Sequence, residues 1–263
     1  MNAIILAAGK GERLRPLTEN KPKCLVSLFG KTLLEWQIES FHNQGIDDIT
    51  IVTGYKSDLI KYPELKKIQN KNYDSTNMVE TLFCAQSELK ESTIVCYGDI
   101  LFNEEILKKL VDNTDDFSVI VDENWYDLWK LRFKNPLDDA ESLIIDGENF
   151  ITSVGQKVQD ISQIQGQYIG LMKFQNLGIK NLIDFYEKSK ISSKDGINPL
   201  NPQLPFEKSY MTDLLQGLID NNFKIRGIPI ENGWLEVDSI NDYELYKKMH
   251  EDNQLSSYFS IGD

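Results

Sequence analysis

The sequence predicts an α/β protein: a doubly wound, Rossmann-like mixed sheet, mostly parallel, with a small inserted lobe. Three observations carry that expectation. Short apolar runs at Ala3 to Ala8, Asp48 to Thr53, Ser92 to Tyr97 and Phe117 to Val121 read as strands buried on both faces. Helix-like segments with one apolar face alternate with them, which is the βαβ rhythm of a parallel sheet. The chain has 263 residues, 41% of them hydrophobic, enough for one large α/β domain.

Taken in order, the first strand runs into a loop carrying Gly9 and Gly11. Thr32 and Glu35 form a capping box that opens a helix, with Leu34, Ile38 and Phe41 on one face. The second strand, from Asp48, ends at Gly54. Met78 to Leu89 is helix-like, and the third strand ends at Gly98-Asp99. Asn103 to Val111 reads as a helix and Phe117 to Val121 as a further strand. Residues 122–174 break the rhythm with the stretch DENWYDLWKLRFKNPLDDAES, followed by strand candidates near 143–145, 150–155 and 164–174. That segment is expected to form the inserted lobe. Helical patterns return near 176–188 and 209–221. The strand-like segments 224–230 and 233–239 come next, followed by a helix that Ser239 and Asp242 cap. The reading is therefore one domain over 1–253, divided into 1–121, the lobe 122–174 and the completing segment 175–253, with 254–263 as a loose tail.

Composition narrows the function. A net charge of −13 argues against nucleic acid as a partner. Three scattered cysteines, Cys24, Cys84 and Cys96, have no metal-like spacing and read as reduced, mostly buried thiols. Two histidines, His42 and His250, leave little room for a catalytic imidazole or a His-rich metal site. No apolar stretch approaches the ~20 residues of a membrane span. The apolar start is too short for a signal peptide and has no basic segment before it, so a cytoplasmic protein without membrane partners is expected.

Against this acidic background, Lys10, Arg13, Arg15, Lys21 and Lys23 crowd one glycine-bearing loop after the first strand. Ligands of open α/β sheets bind beyond the carboxyl ends of the strands. Glycines let backbone N–H groups approach a ligand, and the cations make the loop a plausible phosphate cradle. It is not a dinucleotide fingerprint, because Leu14 stands where GxGxxG needs its third glycine. Nor is it a Walker A loop, since no Gly-Lys-Ser/Thr follows at the required distance.

What remains is a strand, Ala7-Ala8-Gly9, Gly11, Arg13, then Pro16-Leu17-Thr18 and Lys21-Pro22-Lys23. This resembles the signature of the sugar-phosphate and phosphocholine nucleotidyltransferase superfamily, closely over residues 3–35 and more loosely beyond. The resemblance implies that the Gly9–Gly11 backbone and Arg13 hold a nucleoside triphosphate. Leu6, Ala7, Ala8, Lys10, Glu12 and Gly98 complete its surroundings. It also implies that Lys23 touches the phosphates at the reacting centre, making Lys23 and Arg13 the catalytic candidates. Fixed cations there suit the chemistry, because attack on the α-phosphorus builds charge on equatorial and leaving oxygens.

The family uses Mg²⁺, and the resemblance assigns it to two aspartates. Asp99 follows a buried strand and a glycine, and the alternative is an aspartate that merely caps the next loop. The segment GWLEVDS resembles the family's late carboxylate stretch. It points to Asp238, with Glu236 on the same strand face, although Asp238 could instead simply precede a helix.

The segment NKNYDSTNMVETLFCAQ departs from sugar-1-phosphate members and looks like the phosphocholine and aminoethylphosphonate cytidylyltransferases. Asn77 and Thr81 are then candidates to frame the cytosine base, or equally to cap a helix. For the acceptor, Asp122, Trp125 and Trp129 suggest a cage for an ammonium group, with aromatic packing as the competing account. Lys157 and Tyr168 fall where the family borders its acceptor. The reading is a Mg²⁺-dependent cytidylyltransferase joining CTP to a small phospho- or phosphono-compound and releasing pyrophosphate; a homodimer is compatible with it. The alternatives are a thymidylyl- or uridylyltransferase acting on a sugar-1-phosphate, and a non-catalytic nucleotide-binding relative.

Overall fold

The computed structural model describes residues 1–261, with thirteen strands and seven α-helices assigned among them. In chain order these are β1 (Asn2–Ala7), β2 (Ser27–Leu28), β3 (Lys31–Thr32), α1 (Leu33–Asn43), β4 (Ile49–Thr53) and β5 (Lys66–Gln69). There follow α2 (Met78–Cys84), β6 (Ser92–Tyr97), β7 (Ile100–Phe102), α3 (Glu104–Asp112), β8 (Phe117–Asp122) and α4 (Trp125–Arg132). The rest are β9 (Glu141–Ile145), β10 (Ile151–Lys157), β11 (Gln167–Gln175), α5 (Leu177–Ser192), α6 (Met211–Asp220), β12 (Arg226–Ile230), β13 (Trp234–Glu236) and α7 (Ile240–Glu251).

The expected sheet is present, with seven strands in the order β12-β8-β11-β6-β1-β4-β5. All pairings are parallel except those of β11, which runs antiparallel to both β6 and β8. The β1 side chains alternate between two cores, as the period of a strand requires. Ala3 and Ile5 join one core with Leu34, Phe41, Leu107 and Trp234, whereas Ile4 and Leu6 join the other with Val79, Met172 and Leu214. Helices therefore cover both faces of the sheet.

The two predicted capping boxes form. The Thr32 side chain accepts from the Glu35 N–H at the start of α1, and Ser239 accepts from that of Asp242 at the start of α7. Other expectations need correction. The stretch read as 164–174 of the lobe is β11, a central strand of the main sheet, so the inserted part shrinks to α4 and the β9–β10 hairpin. The helix expected over Met78 to Leu89 ends at Cys84 and continues as a 3₁₀ turn over Gln86–Glu88. The tail is not loose through residue 261. Leu255 and Phe259 are buried, and the Phe259 ring lies 6.4 Å from Phe29 and 6.3 Å from Trp36. The remainder of that expected tail, 262–263, falls outside the described residues. The cysteines are free, with Cys24 and Cys96 buried and Cys84 exposed; burial pushes the Cys24 thiol up to about 12.

Candidate active site

The carboxyl ends of β1 and β6 lie side by side, with Leu6 paired to Tyr97. Gly98 permits this approach, since a Cβ there would sit 2.9 Å from the Leu6 carbonyl oxygen and 3.0 Å from the Ala7 Cβ. Above these ends opens a cleft. Leu6 to Gly9, Lys23, Asn77, Thr81, Gly98 and Asp99 contribute to its wall, so most of the nucleotide-binding expectations converge on one place. Lys10, Gly11, Glu12 and Arg13 continue the same loop beside it. Lys10 pairs with Asp74 at 2.7 Å, and Arg13 with Asp238 at 2.5 Å.

At the cleft the Lys23 ammonium donates to Asp99 Oδ2 at 2.6 Å and to Asp238 Oδ1 at 2.7 Å. Residues separated by up to 215 positions in the chain are thus brought to one point. The backbone explains how. Strands β7 and β13 form an antiparallel ribbon that pairs Ile100 with Glu236, and the Val237 N–H donates to the Asp99 carbonyl at 2.9 Å. Gln37, buried on α1, donates to the carbonyls of Tyr97 and Ile100, both at 2.7 Å, and fixes the Gly98-Asp99 turn from below. On the other side, Thr18 donates to the Gly11 carbonyl at 2.6 Å. Gly11 sits at φ 61°, where a Cβ would come within 3.1 Å of the Lys23 Cβ.

Desolvation works to lower the Lys23 pKa, but the charges of Asp99 and Asp238 outweigh it and hold the ammonium above its usual range. Burial likewise acts to raise Asp238, and Lys23 together with Arg13 more than offsets it, so the carboxylate lies low. Burial pushes Glu236 up to about 7. One feature bears on a metal: Asp99 Oδ1 is buried with no hydrogen-bond partner. A bare carboxylate oxygen, on an aspartate that shares one lysine with a second aspartate, is a donor set that a hard cation such as Mg²⁺ suits. Asp99 and Asp238 would hold it.

Asn77 and Thr81 belong to a helix start that also lines the cleft. Asn77 caps α2, accepting from the Met78 N–H at 2.9 Å, while Thr81 donates to the Asn77 carbonyl at 3.0 Å, and both face the cleft. Sequence reasoning passed over Tyr73, Thr76, Met78 and Tyr97, which share that wall. The segment NKNYDSTNMVETLFCAQ contained the first three, so the signal was present.

The aromatic cage does not exist. Asp122 is fully buried and accepts from Trp234 Nε1 at 2.8 Å and from the Asn232 and Asn124 N–H groups, both at 3.0 Å. Trp125 is 3% exposed and Trp129 4%, packed against each other with rings 5.8 Å apart. The Trp129 Nε1 donates to Asp139 at 3.1 Å. These residues form a helix and its core, leaving no open ring face for a ligand. Lys157 ends β10, exposed, in register with Glu141. Tyr168, half-buried, stands edge-on to Tyr97 at 5.8 Å and backs that wall of the cleft.

A cationic glycine loop at the end of β1, with two aspartates bridged by a lysine beside it, is a site suited to a polyphosphate and a cation. Residues 3–146 match the MobA-like NTP transferase domain. The chain is 38% identical over 256 residues to CTP:phosphoglutamine cytidylyltransferase of Campylobacter jejuni, covering 93% of this chain and 98% of that protein. It is also 38% identical over 118 residues to choline-phosphate cytidylyltransferase of Streptococcus pneumoniae, which spans 43% of this chain and 52% of that one. Among solved structures, CTP:phosphocholine cytidylyltransferase of S. pneumoniae superposes with a TM-score of 0.72 at 23% identity, over 96% of this chain and 98% of that chain. The chain belongs to the MobA-like NTP transferase family.

Proposed function

We propose that the protein transfers CMP from CTP to a small phosphorylated acceptor and releases pyrophosphate. The observation that carries this reading is the Lys23 ammonium held between Asp99 and Asp238 at the mouth of the β1–β6 cleft. Cytosine as the base is supported by the cytidylyltransferases among the relatives and by Asn77 and Thr81 on the cleft wall.

In this mechanism the acceptor's phosphate oxygen attacks the α-phosphorus of CTP in line. The new P–O bond forms as the bond to the β-phosphate oxygen breaks, and pyrophosphate leaves. No covalent enzyme intermediate is required, because positioning and electrostatics can supply the rate. The Gly9–Gly11 backbone orients the triphosphate, Arg13 and Lys10 lie beside it, and Lys23 stabilises charge developing at the reacting centre. Mg²⁺, when bound by Asp99 and Asp238, supplies Lewis-acid stabilisation of the phosphate oxygens.

The test is pyrophosphate release from CTP, UTP and dTTP, each mixed with Mg²⁺ and with phosphoglutamine, phosphocholine, aminoethylphosphonate or glucose 1-phosphate. CTP-dependent release with one of the first three acceptors is expected. Release only with glucose 1-phosphate, or only with UTP or dTTP, would replace the reading by a sugar-nucleotide enzyme. No release with any pair, despite nucleotide binding, would make the chain a non-catalytic relative.

A further inference from the structure

Arg132 is 1% exposed at its side chain, a rare place for a guanidinium, and it lies on the inserted helix α4 rather than on any phosphate loop. The spacing of Trp125, Leu128 and Trp129 puts their side chains in the core, and the same helical stripe carries Arg132 inward one turn later. Its guanidinium stands 5.0 Å from the Trp129 ring and 5.0 Å from that of Phe133. From there Nε donates to Asp242 Oδ1 at 2.9 Å, and Nη2 donates to Glu236 Oε2 at 2.7 Å. These two carboxylates flank Asp238 in the chain.

Asp242 passes the constraint on. Its Oδ2 accepts from the backbone N–H of Asp238 at 3.2 Å, from that of Ser239 at 2.8 Å and from Ser239 Oγ at 3.0 Å. A continuous chain of contacts therefore runs from α4 through Asp242 to the backbone of Asp238. We propose that Arg132 is a positioning residue, which fixes Asp238 against Asp99 through the Arg132–Asp242–Asp238 chain. The planar fork matters, because a lysine could not hold both carboxylates in fixed directions. The proposal rests on Asp238 serving the reaction as described above. It adds that the inserted lobe shapes the metal-binding half of the site.

The experiment compares Arg132→Gln with wild type by steady-state kinetics, thermal melting and Mn²⁺ binding in the presence of CTP, followed by electron paramagnetic resonance of the free ion. Removing a group that orients a metal ligand commonly costs about 10- to 100-fold in metal affinity or activity. We expect kcat and Mn²⁺ affinity to fall together within that range while KM for CTP changes by less than about threefold. A merely structural arginine would lower the melting temperature and leave the Mn²⁺ affinity of the folded fraction unchanged, which would overturn the proposal. If Arg132→Gln does not fold, Asp242→Asn, which keeps an acceptor for the helix cap but loses the ion pair, takes its place. Failure of both to fold would assign Arg132 to packing alone. Asp238→Asn is run alongside. If it keeps full turnover and Mn²⁺ affinity, the functional reading of Asp238 fails first. If it loses both and the Arg132 and Asp242 variants lose neither, only the positioning proposal falls.

Discussion

Lys23 bridges two carboxylates at once, each within 2.7 Å of its ammonium, with side chains only 12–18% exposed. Removing one member of a poorly solvated ion cluster leaves the others uncompensated, at a cost of up to ~3–5 kcal/mol for full burial. Lys23→Met is therefore expected to melt several degrees lower than wild type in chelator, and to regain most of that difference when Mg²⁺ is added. A variant that melts like wild type in chelator would show that the three charges are not coupled. In turnover, Asp99→Asn and Asp238→Asn should each depress kcat far more than they raise KM for CTP, because the cation they would hold acts on phosphate charge that is greatest in the transition state. Near-normal kcat at saturating Mg²⁺ in either variant would remove that aspartate from the metal site.

Local chemistry set several elements before any tertiary contact was known. Thr32 with Glu35 and Ser239 with Asp242 announced two helix starts, because a capping box needs only four consecutive residues. Thr32→Ala should cost about 1 kcal/mol, or roughly 2–4 °C in melting temperature for a chain of this size. The lobe was misread for a physical reason. Trp125, Leu128, Trp129 and Arg132 recur at helical spacing, a stripe that marks a buried face, yet the charged residues between them suggested an open cage. Strand β12 carries a test of a different kind. Arg226 Nε donates to Asp115 at 2.8 Å and holds that carboxyl below its usual range. A carboxyl lowered on folding adds stability above its unfolded value of 3.8 and loses it as pH falls through the folded value. The melting gap between wild type and Asp115→Asn should therefore be open at pH 6 and shrink as the pH falls below 3.8. A gap independent of pH would assign Asp115 to hydrogen bonding alone.

For the whole molecule, the two cores meet at the central sheet, and the cleft opens where the ends of β1 and β6 rise between them. A ligand seated there engages both halves. At about 100 times its dissociation constant it should add ~2.7 kcal/mol of stability. CTP with Mg²⁺ is thus expected to raise the melting temperature by roughly 5–10 °C, and ATP by much less. An equal rise with ATP would contradict selection of the base. The sheet's class was legible because buried parallel strands are continuous apolar runs. The place of β11 was not, since an apolar run states neither its direction nor its neighbours. The pairing of Asp99 with Asp238 was reached only through resemblance, because the β7–β13 ribbon that joins them consists of two three-residue strands.

The position of β11 also sets a timetable for synthesis. By the time β6 has left the ribosome, β1, β4 and β5 are available to pair, and a four-stranded half-sheet can form. The other edge of β6 then waits for a partner that begins about 70 residues later. At roughly 5–20 residues per second, that apolar edge stays bare for several seconds. Strand β8 emerges in the interval and has no place to dock, since its neighbours in the finished sheet are β11 and β12. A nascent chain stalled before residue 167 is thus a sheet with an open seam, the template on which other chains add strands. Arrival of β11 closes the seam on both sides at once, so the sheet is completed by a segment translated well after its glycine-bearing loop.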